Sequence, residues 1–387
     1  MGFARYFCVV PVCCGVCCWL LASADAFAQY TFKNLFPLSA PASWSVFDPV
    51  AAPGQVVGGI YDGSQTRNAV VWTSASAPVV LNPSGYSNCF VYATNGTQQV
   101  GEVETAPGPF GVDTHPHATL WNGSAASAVD LTPADLGFNE SEIRGTNGAQ
   151  QVGAAGSNAI TFAVLWNGTA GSAVDLKPTK LAIGACEALA TDGQHQVGTG
   201  SDGLGSHALL WSGTADSAID LTPPRFTDAE AVGIGGGQQV GDGAPFPTST
   251  HFRDAIVWSG TAQSAVDLAP ATSPFTESYA TATNGVEQVG YADIIDFSHG
   301  TRGPTHALLW LGTAESQIDL QGLAPAEIVS SRADSIDAAG NVWGTAQDAS
   351  GNHYAVEWVP TPEPDAVAVL IFLIPLYRSR ATSVRRR

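Results

Sequence analysis

Short apolar runs, each closed by a turn residue, repeat along residues 29–359 in a fixed order. The first run is built of small residues and ends in Asn-Gly or Asp-Gly, as at 91–96, 188–193 and 280–285. The second reads Gln-Gln-Val-Gly at 98–101, 150–153 and 238–241, with variants at 194–198 and 287–290. The third ends in Trp. The fourth reads Ala-Val-Asp-Leu or its like, and its Asp (Asp130, Asp175, Asp220, Asp267, Asp319) falls nine residues after the Trp each time. Such runs are too short and too often broken by Gly to be helices. Asn-Gly between the first two runs predicts a hairpin. Trp-Asn-Gly and Trp-Ser-Gly put Gly where a positive φ is wanted. The constant Trp-to-Asp spacing predicts a tight hairpin of set register.

Each unit is therefore predicted to be a four-stranded antiparallel meander. One such sheet cannot bury both of its faces, and stacking copies radially solves that problem as a β-propeller. The third-run Trp occurs at Trp72, Trp121, Trp166, Trp211, Trp258, Trp310 and Trp358, at intervals of 49, 45, 45, 47, 52 and 48 residues. The last copy stops at 357–359 without a fourth run, and residues 31–38 form an unattached strand-like piece before the first copy. The expected fold is all-β: a seven-bladed β-propeller of four-stranded antiparallel blades, closed by the N-terminal strand completing the last blade. Closure would remove exposed sheet edges.

With Gly54-Gln55-Val56-Val57-Gly58, His207-Ala208-Leu209-Leu210-Trp211 and Asp220-Leu221 in view, the repeats over about 40–358 resemble the bacterial extracellular HAF repeat family. Leu, Thr, Val or Ile stands where that family carries Phe. The resemblance implies an exported repeat protein and hands over no active site.

Charge adds an exclusion. Residues 29–365 hold 9 Lys or Arg against 33 Asp or Glu, a net charge of -24. Such a body repels phosphate backbones, so no nucleic-acid partner is expected. Solubility outside the cell is the first reading of the acidity and weak divalent-cation capture the second. Five of the 7 Cys lie in the first 18 residues. Cys89 and Cys186 occupy equivalent positions in non-adjacent copies and are expected to be buried free thiols, neither a disulfide nor a metal site.

The ends read as addresses. Residues 1–28 have a positive start at Arg5, an apolar run over 7–22, and small residues at Ala26 and Ala28. That is a secretory signal, with signal peptidase cleaving after Ala28. Residues 360–387 combine Pro362-Glu363-Pro364, an apolar run over 366–377, and Arg378, Arg380, Arg385, Arg386 and Arg387. This order resembles the PEP-CTERM sorting signal. It implies export, a transient membrane anchor with the arginines on the cytoplasmic side, and processing by an exosortase-type enzyme. The apolar run is only 12 residues and contains Pro375, against roughly 20 for a full span.

Candidate chemistry is sparse. His117, His207 and His306 lie four residues before their Trp, a place held by other residues in the remaining copies, so a structural role is expected. The repeated Asp is expected to bond a neighbouring turn or blade, and the repeated Trp to wedge blades together. No catalytic, cofactor or metal motif is recognised. The Asn-Gly-Ser/Thr triplets at Asn95, Asn122 and Asn167 are read as turns. The longest loops, 102–116, 242–253 and 291–305, all follow second runs. They offer a candidate ligand face: Phe110, His115, Phe246, His251, Phe252, Asp293, Asp296 and His299, with Asp113, Phe297 and Arg302 nearby. The expectation is an exported, non-enzymatic propeller that binds or organises extracellular polysaccharide or surface proteins. The rivals are a carbohydrate-active lyase or hydrolase working from the variable face, and a structural matrix filler without a specific ligand.

Overall fold

The structure is a computed structural model, and it describes residues 29–41, 44–61, 66–105, 115–157, 160–246, 252–269, 274–296 and 301–361. The signal and sorting segments, with Pro362, Glu363, Pro364, the terminal arginines, Ala26 and Ala28, lie outside the described residues. Among the described residues no helix is long and apolar enough to cross a membrane.

The described chain is all-β, with only single 3₁₀ turns between strands. Four antiparallel sheets have four strands each in chain order. One of them is Glu140–Thr146, Gln151–Ser157, Ile160–Trp166 and Val174–Asp175. A fourth sheet skips a two-strand ribbon, Ile295–Asp296 with Thr301–Arg302, before its Trp strand. The first two copies make one eight-stranded sheet, but a single parallel bridge, Arg67 to Asn88, joins their two meanders. In the remaining sheet Gln29–Pro37 lies beside His353–Thr361, followed by Val342–Asp348 and Ile328–Ile336. Residues Phe32–Val359 form one compact unit. The described parts of the other unit are 29–31 and 360–361, where Thr361 Oγ1 donates to the Gln29 carbonyl at 2.6 Å.

The core lies between consecutive copies. Val152, Leu165 and Leu176 of the third copy pack with Cys186, Leu209 and Trp211 of the fourth. Ala51, Val56 and Trp72 of the first pack with Leu38 and Ala355. All seven repeated Trp are fully buried. Three of them donate an indole N–H across the seam: Trp211 to the Leu176 carbonyl at 2.8 Å, Trp358 to Leu320 at 3.0 Å and Trp72 to Ser39 at 2.8 Å. The wedge reading of the Trp thus holds.

The fourth strand departs from the expected tight hairpin. It is only two residues long, as at Val129–Asp130, and a 3₁₀ turn, Ala125–Ser127, intervenes after Gly123 (φ 78°). The constant spacing comes from Ser127, whose Oγ accepts the Asn122 N–H at 2.8 Å and donates to the Ser124 carbonyl at 2.6 Å. A side chain that closes the connection on itself sets its length, not a two-residue turn. Further order comes from the buried second-run Gln. Gln151 Oε1 accepts the Gly168 N–H at 2.8 Å, while its Nε2 donates to Gln98 Oε1 of the previous copy at 3.0 Å. Cys89 and Cys186 are buried free thiols, and Cys186 Sγ accepts the Ala163 N–H at 3.2 Å. Ser141 and Ser278 do the same for Ala118 and Ala255.

Candidate functional site: the cavity between the inner strands

The first strand of every copy carries a register skip against the second, and three copies carry two; examples lie between Ile143 and Gly145 and between Ala188 and Ala190. A bulge inserts an extra residue and re-aims side chains. The repeated Gly of the second run makes room for it. A Cβ on Gly101, Gly153, Gly198, Gly241, Gly290 or Gly344 would sit 1.9–2.0 Å from a first-strand carbonyl oxygen. The Gln-Val-Gly signature is therefore a packing requirement at the bulge.

The residues opposite and within the bulges are mostly large or charged. Those paired with the residue after the Gly are Phe47, Phe90, Glu142, Glu187, Glu230, Tyr279 and Arg332. The extra residues include Tyr92, Arg144 and Asp334. Each first strand touches that of the next copy, and the last touches the first. A cavity of about 590 Å³ opens among them, lined by Phe47, Asp48, Phe90, Tyr92, Arg144, Tyr291, Asp293, Arg302 and Arg332 with several hydroxyl and amide side chains.

Charges on the first and second strands form local networks. Arg144 binds Glu142 at 2.9 Å and Glu187, on the next copy, at 2.5 Å. Its guanidinium lies 4.2 Å from the Tyr92 ring centroid, and the Tyr92 hydroxyl donates to Glu102 Oε1 at 2.7 Å. Burial raises the carboxyl pKa values of Glu102, Glu142 and Glu187, and Arg144 acts in the opposite direction on all three. Burial also lifts the Tyr92 hydroxyl above its usual range, with Glu102 adding to the effect. In the fifth copy Arg253 pairs with Asp242 and, at 3.5 Å, with Glu230. Burial pushes Asp242 up to about 6 against the pull of Arg253. Asp334 is likewise pushed by burial to about 6, although Arg332 Nε lies 3.0 Å away and the Ala51 N–H donates to its Oδ2 at 3.0 Å. A carboxyl displaced upward by burial can hold a proton near neutral pH and release it to a reacting group.

The candidate ligand face is only partly brought to this cavity. Asp293 lines it, fully buried, with Thr305 Oγ1 donating to its Oδ1 at 2.7 Å and Arg302 ion-paired to its Oδ2 at 3.5 Å. It belongs to a strand, not a loop, because the second strand of the sixth copy runs Gln288–Asp293. Asp296 pairs through its backbone with Thr301. His115 Nδ1 lies 3.1 Å from Glu140 Oε1, and Phe246 and Phe252 are exposed, without lining the cavity. Phe110, His251, His299, Asp113 and Phe297 lie outside the described residues. The repeated His proves structural: Nδ1 of His117, His207 and His306 lies 2.9 Å from Oδ2 of the same copy's repeated Asp. That Asp also caps the following turn, as Asp130 Oδ1 does for the Thr132 N–H at 2.8 Å.

Sequence reasoning passed over Tyr92, Glu102, Glu142, Arg144, Glu187 and Arg332. One signal was available: Glu102, Asp242 and Tyr291 follow the Gly of the second run, where other copies carry Ala, Thr or Gly.

No protein-family model matches the chain. No curated protein matches it either. Solved structures do. The β-propeller domain of the Trilobed protease from Pyrococcus furiosus, described as having an open velcro topology, aligns with a TM-score of 0.53 at 9% identity, covering 83% of this chain and 94% of that one. Pyrococcus horikoshii acylaminoacyl peptidase aligns at 0.52 and 9%, covering 88% of this chain and 55% of that one. A prolyl endopeptidase aligns at 0.51 and 12%, covering 85% and 49%. The chain thus spans about half the length of the two whole peptidases. The described body has the β-propeller fold. The expectation of a non-enzymatic, matrix-organising propeller is corrected at this point. The three solved structures named here as sharing the fold are a protease's propeller domain and two peptidases, not matrix-organising propellers.

Proposed function

We propose that this protein is a carbohydrate-active hydrolase whose site is the cavity between the inner strands, with Glu142 and Glu187 as its acid and base. The observation that carries this reading is their placement. They sit on neighbouring inner strands, burial raises both, and both hold Arg144, which lines the cavity. Two like carboxyls sharing one site favour one protonated and one charged partner, a tendency that Arg144 opposes. A glycosidic bond needs that division: a carboxylic acid protonates the departing oxygen and a carboxylate activates water or attacks the sugar. Arg144 orients the pair, and the Tyr92–Glu102 hydrogen bond holds the flank of the guanidinium. The peptidase neighbours support hydrolysis as the reaction class; the carboxyl pair favours an acetal over an amide.

The framework belongs to the same proposal. Seven blades close into one ring, with Gln29–Pro37 completing the last. Contact of the last inner strand with the first supports this, as does the sheet order that puts Gln29–Pro37 beside His353–Thr361. The body reaches the cell surface through its signal segment and an exosortase-type enzyme. Fractionation of cells with and without that enzyme tests the destination: unchanged distribution removes it from the account.

The decisive experiment is reducing-end release from a panel of polysaccharides by the full chain and by Glu142→Gln, Glu187→Gln and the double variant. Each single change is expected to lower kcat by about 10²–10⁴-fold, the usual contribution of a general acid or base. Turnover that survives in the double variant, or release from no polysaccharide in the panel, refutes the assignment.

A further inference from the structure

The acidic body carries six arginines over residues 29–365, and three of them, Arg144, Arg302 and Arg332, line this one cavity. Two are committed to carboxylates on both sides. Arg144 spans Glu142 and Glu187, while Arg302 spans Glu277 at 3.3 Å and Asp293 at 3.5 Å. Arg332 differs. Its Nε faces Asp334 at 3.0 Å and its guanidinium lies 4.3 Å from the Tyr291 ring centroid. Among the described residues its two terminal nitrogens have no hydrogen-bond or ion-pair partner, and the side chain is 44% exposed. Asp334 is itself fixed by the Ala51 N–H. The guanidinium is thus held from one edge and one face, Asp48 of the cavity wall acts on its charge, and its fork of two terminal nitrogens is left without a bonded partner. Such a fork matches a carboxylate bidentately.

The surrounding wall narrows the ligand further. Ser330, Thr345, Gln347 and His353 line the cavity beside Arg332. Burial lowers the His353 pKa, which keeps the imidazole neutral. Neutral donors and acceptors of this kind suit a hydroxyl-rich ligand. Phe47 and Phe90 supply apolar area in the same cavity. The geometry points to a uronate as the bound unit: a carboxylate-bearing sugar within a glycan, its carboxylate on the two free nitrogens of Arg332 and its hydroxyls on the neutral wall. The inference rests on the carbohydrate-hydrolase reading and supplies its substrate class. It also states why an acidic protein takes an acidic polymer: attraction is confined to one fork inside a cavity, while the rest of the surface repels.

Calorimetric titration of the full chain tests it, with tetragalacturonate, its methyl ester, a neutral glucose tetramer and tetraglutamate as probes. Tetragalacturonate is expected to bind at least about ten-fold more tightly than the ester or the neutral tetramer, the order expected of one charge-assisted fork. Arg332→Gln with Asp334→Asn removes both charges of the pair together, and is expected to weaken binding about ten-fold with the melting temperature retained. Arg332→Lys keeps Asp334 paired but loses the fork, so it is expected to weaken binding as well, and it serves if the double variant does not fold. Binding unchanged in Arg332→Lys and in the double variant overturns the inference. So does equal binding of the neutral tetramer, equal binding of tetraglutamate, or no binding of tetragalacturonate. The Glu142→Gln/Glu187→Gln protein separates the two proposals. It is expected to bind tetragalacturonate without turning it over. Turnover in that variant sinks the catalytic assignment alone, whereas lost charge discrimination in the wild type sinks the uronate alone.

Discussion

Asp242 makes the stability of this protein run against the usual acid trend. Its side chain is 7% exposed and paired with Arg253, yet burial raises its pKa from 3.8 to about 6. A carboxyl that is a weaker acid when folded binds more protons in the native than in the unfolded state between those two values. Stability therefore falls as pH rises through that window. The displacement is about 2 pKa units, and each unit is 1.36 kcal/mol, so Asp242 costs on the order of 3 kcal/mol at pH 7 relative to pH 4. Asp334, also raised to about 6 by burial, acts with the same sign, as do Glu102, Glu142 and Glu187, whose pKa values burial raises too. His353 opposes them. Burial lowers its pKa, so its contribution is lost as pH falls below 6.5. Asp130, Asp192 and Asp348 have lowered values, and they withdraw stability only as pH falls below about 4. The expected maximum thus lies near pH 4–5. Urea unfolding followed by the fluorescence of the buried Trp residues measures it. The midpoint should drop between pH 4.5 and 7, by about 1 M for each 3 kcal/mol at a slope of about 3 kcal/mol/M. Asp242→Asn leaves Arg253 its contact with Glu230, and should flatten the curve. A midpoint that climbs from pH 4.5 to 7, or a slope that Asp242→Asn leaves untouched, refutes the reasoning.

Four further outcomes follow from the packing. Gly101→Ala puts a Cβ 2.0 Å from the Phe90 carbonyl oxygen and should cost at least about 2 kcal/mol, whereas Gly171→Ala meets nothing within 4 Å and should stay within about 0.5 kcal/mol. Chemical denaturation of the two proteins side by side decides it. Gln151→Leu strips partners from the Gly168 N–H and from Gln98, and should cost about 2–3 kcal/mol in the same assay. Deleting residues 29–38 removes buried Leu38, the edge-on contact of Phe32 with Trp358 at 5.8 Å and the strand beside His353–Thr361. A loss of at least about 3 kcal/mol is expected, and an unchanged urea midpoint would falsify the closure. Burial lifts the Cys89 thiol to about 12 and Cys186 to about 11. Peptide mapping after alkylation at pH 8 should find both unmodified in the native protein and both modified in denaturant.

The strand count per copy, the Asn-Gly turns and the Trp wedges were legible because each is written within a few consecutive residues. Gly96, Gly148 and Gly285 adopt φ of 94–96° where the Asn-Gly pairs foretold a turn. Trp211 meets Leu176 of the preceding copy because a residue buried on both sides must be apolar and large. The hairpin before Asp130 was misjudged because a 3₁₀ turn and a two-residue connection both yield constant spacing. The candidate loop face and the cavity differ for a related reason. Long loops attract attention as sites, whereas the charges at this cavity sit on short strands that otherwise look like packing.

Local patterning by itself settled that this chain is β, how its strands pair within a copy, and which side chains seal one copy to the next. Those outcomes depend on neighbours in the chain and on alternation of apolar and polar positions. Only the assembled sheets decided that Glu142, Arg144 and Glu187 share one network, and that Arg332 of the last copy lies over Tyr291 of the one before. Glu142 and Arg144 share one inner strand, and Glu187 enters from the next, separated from Arg144 by 43 residues. Convergence of strands that far apart carries no spacing that a linear reading can register, because the distance between them is set by how the copies stack.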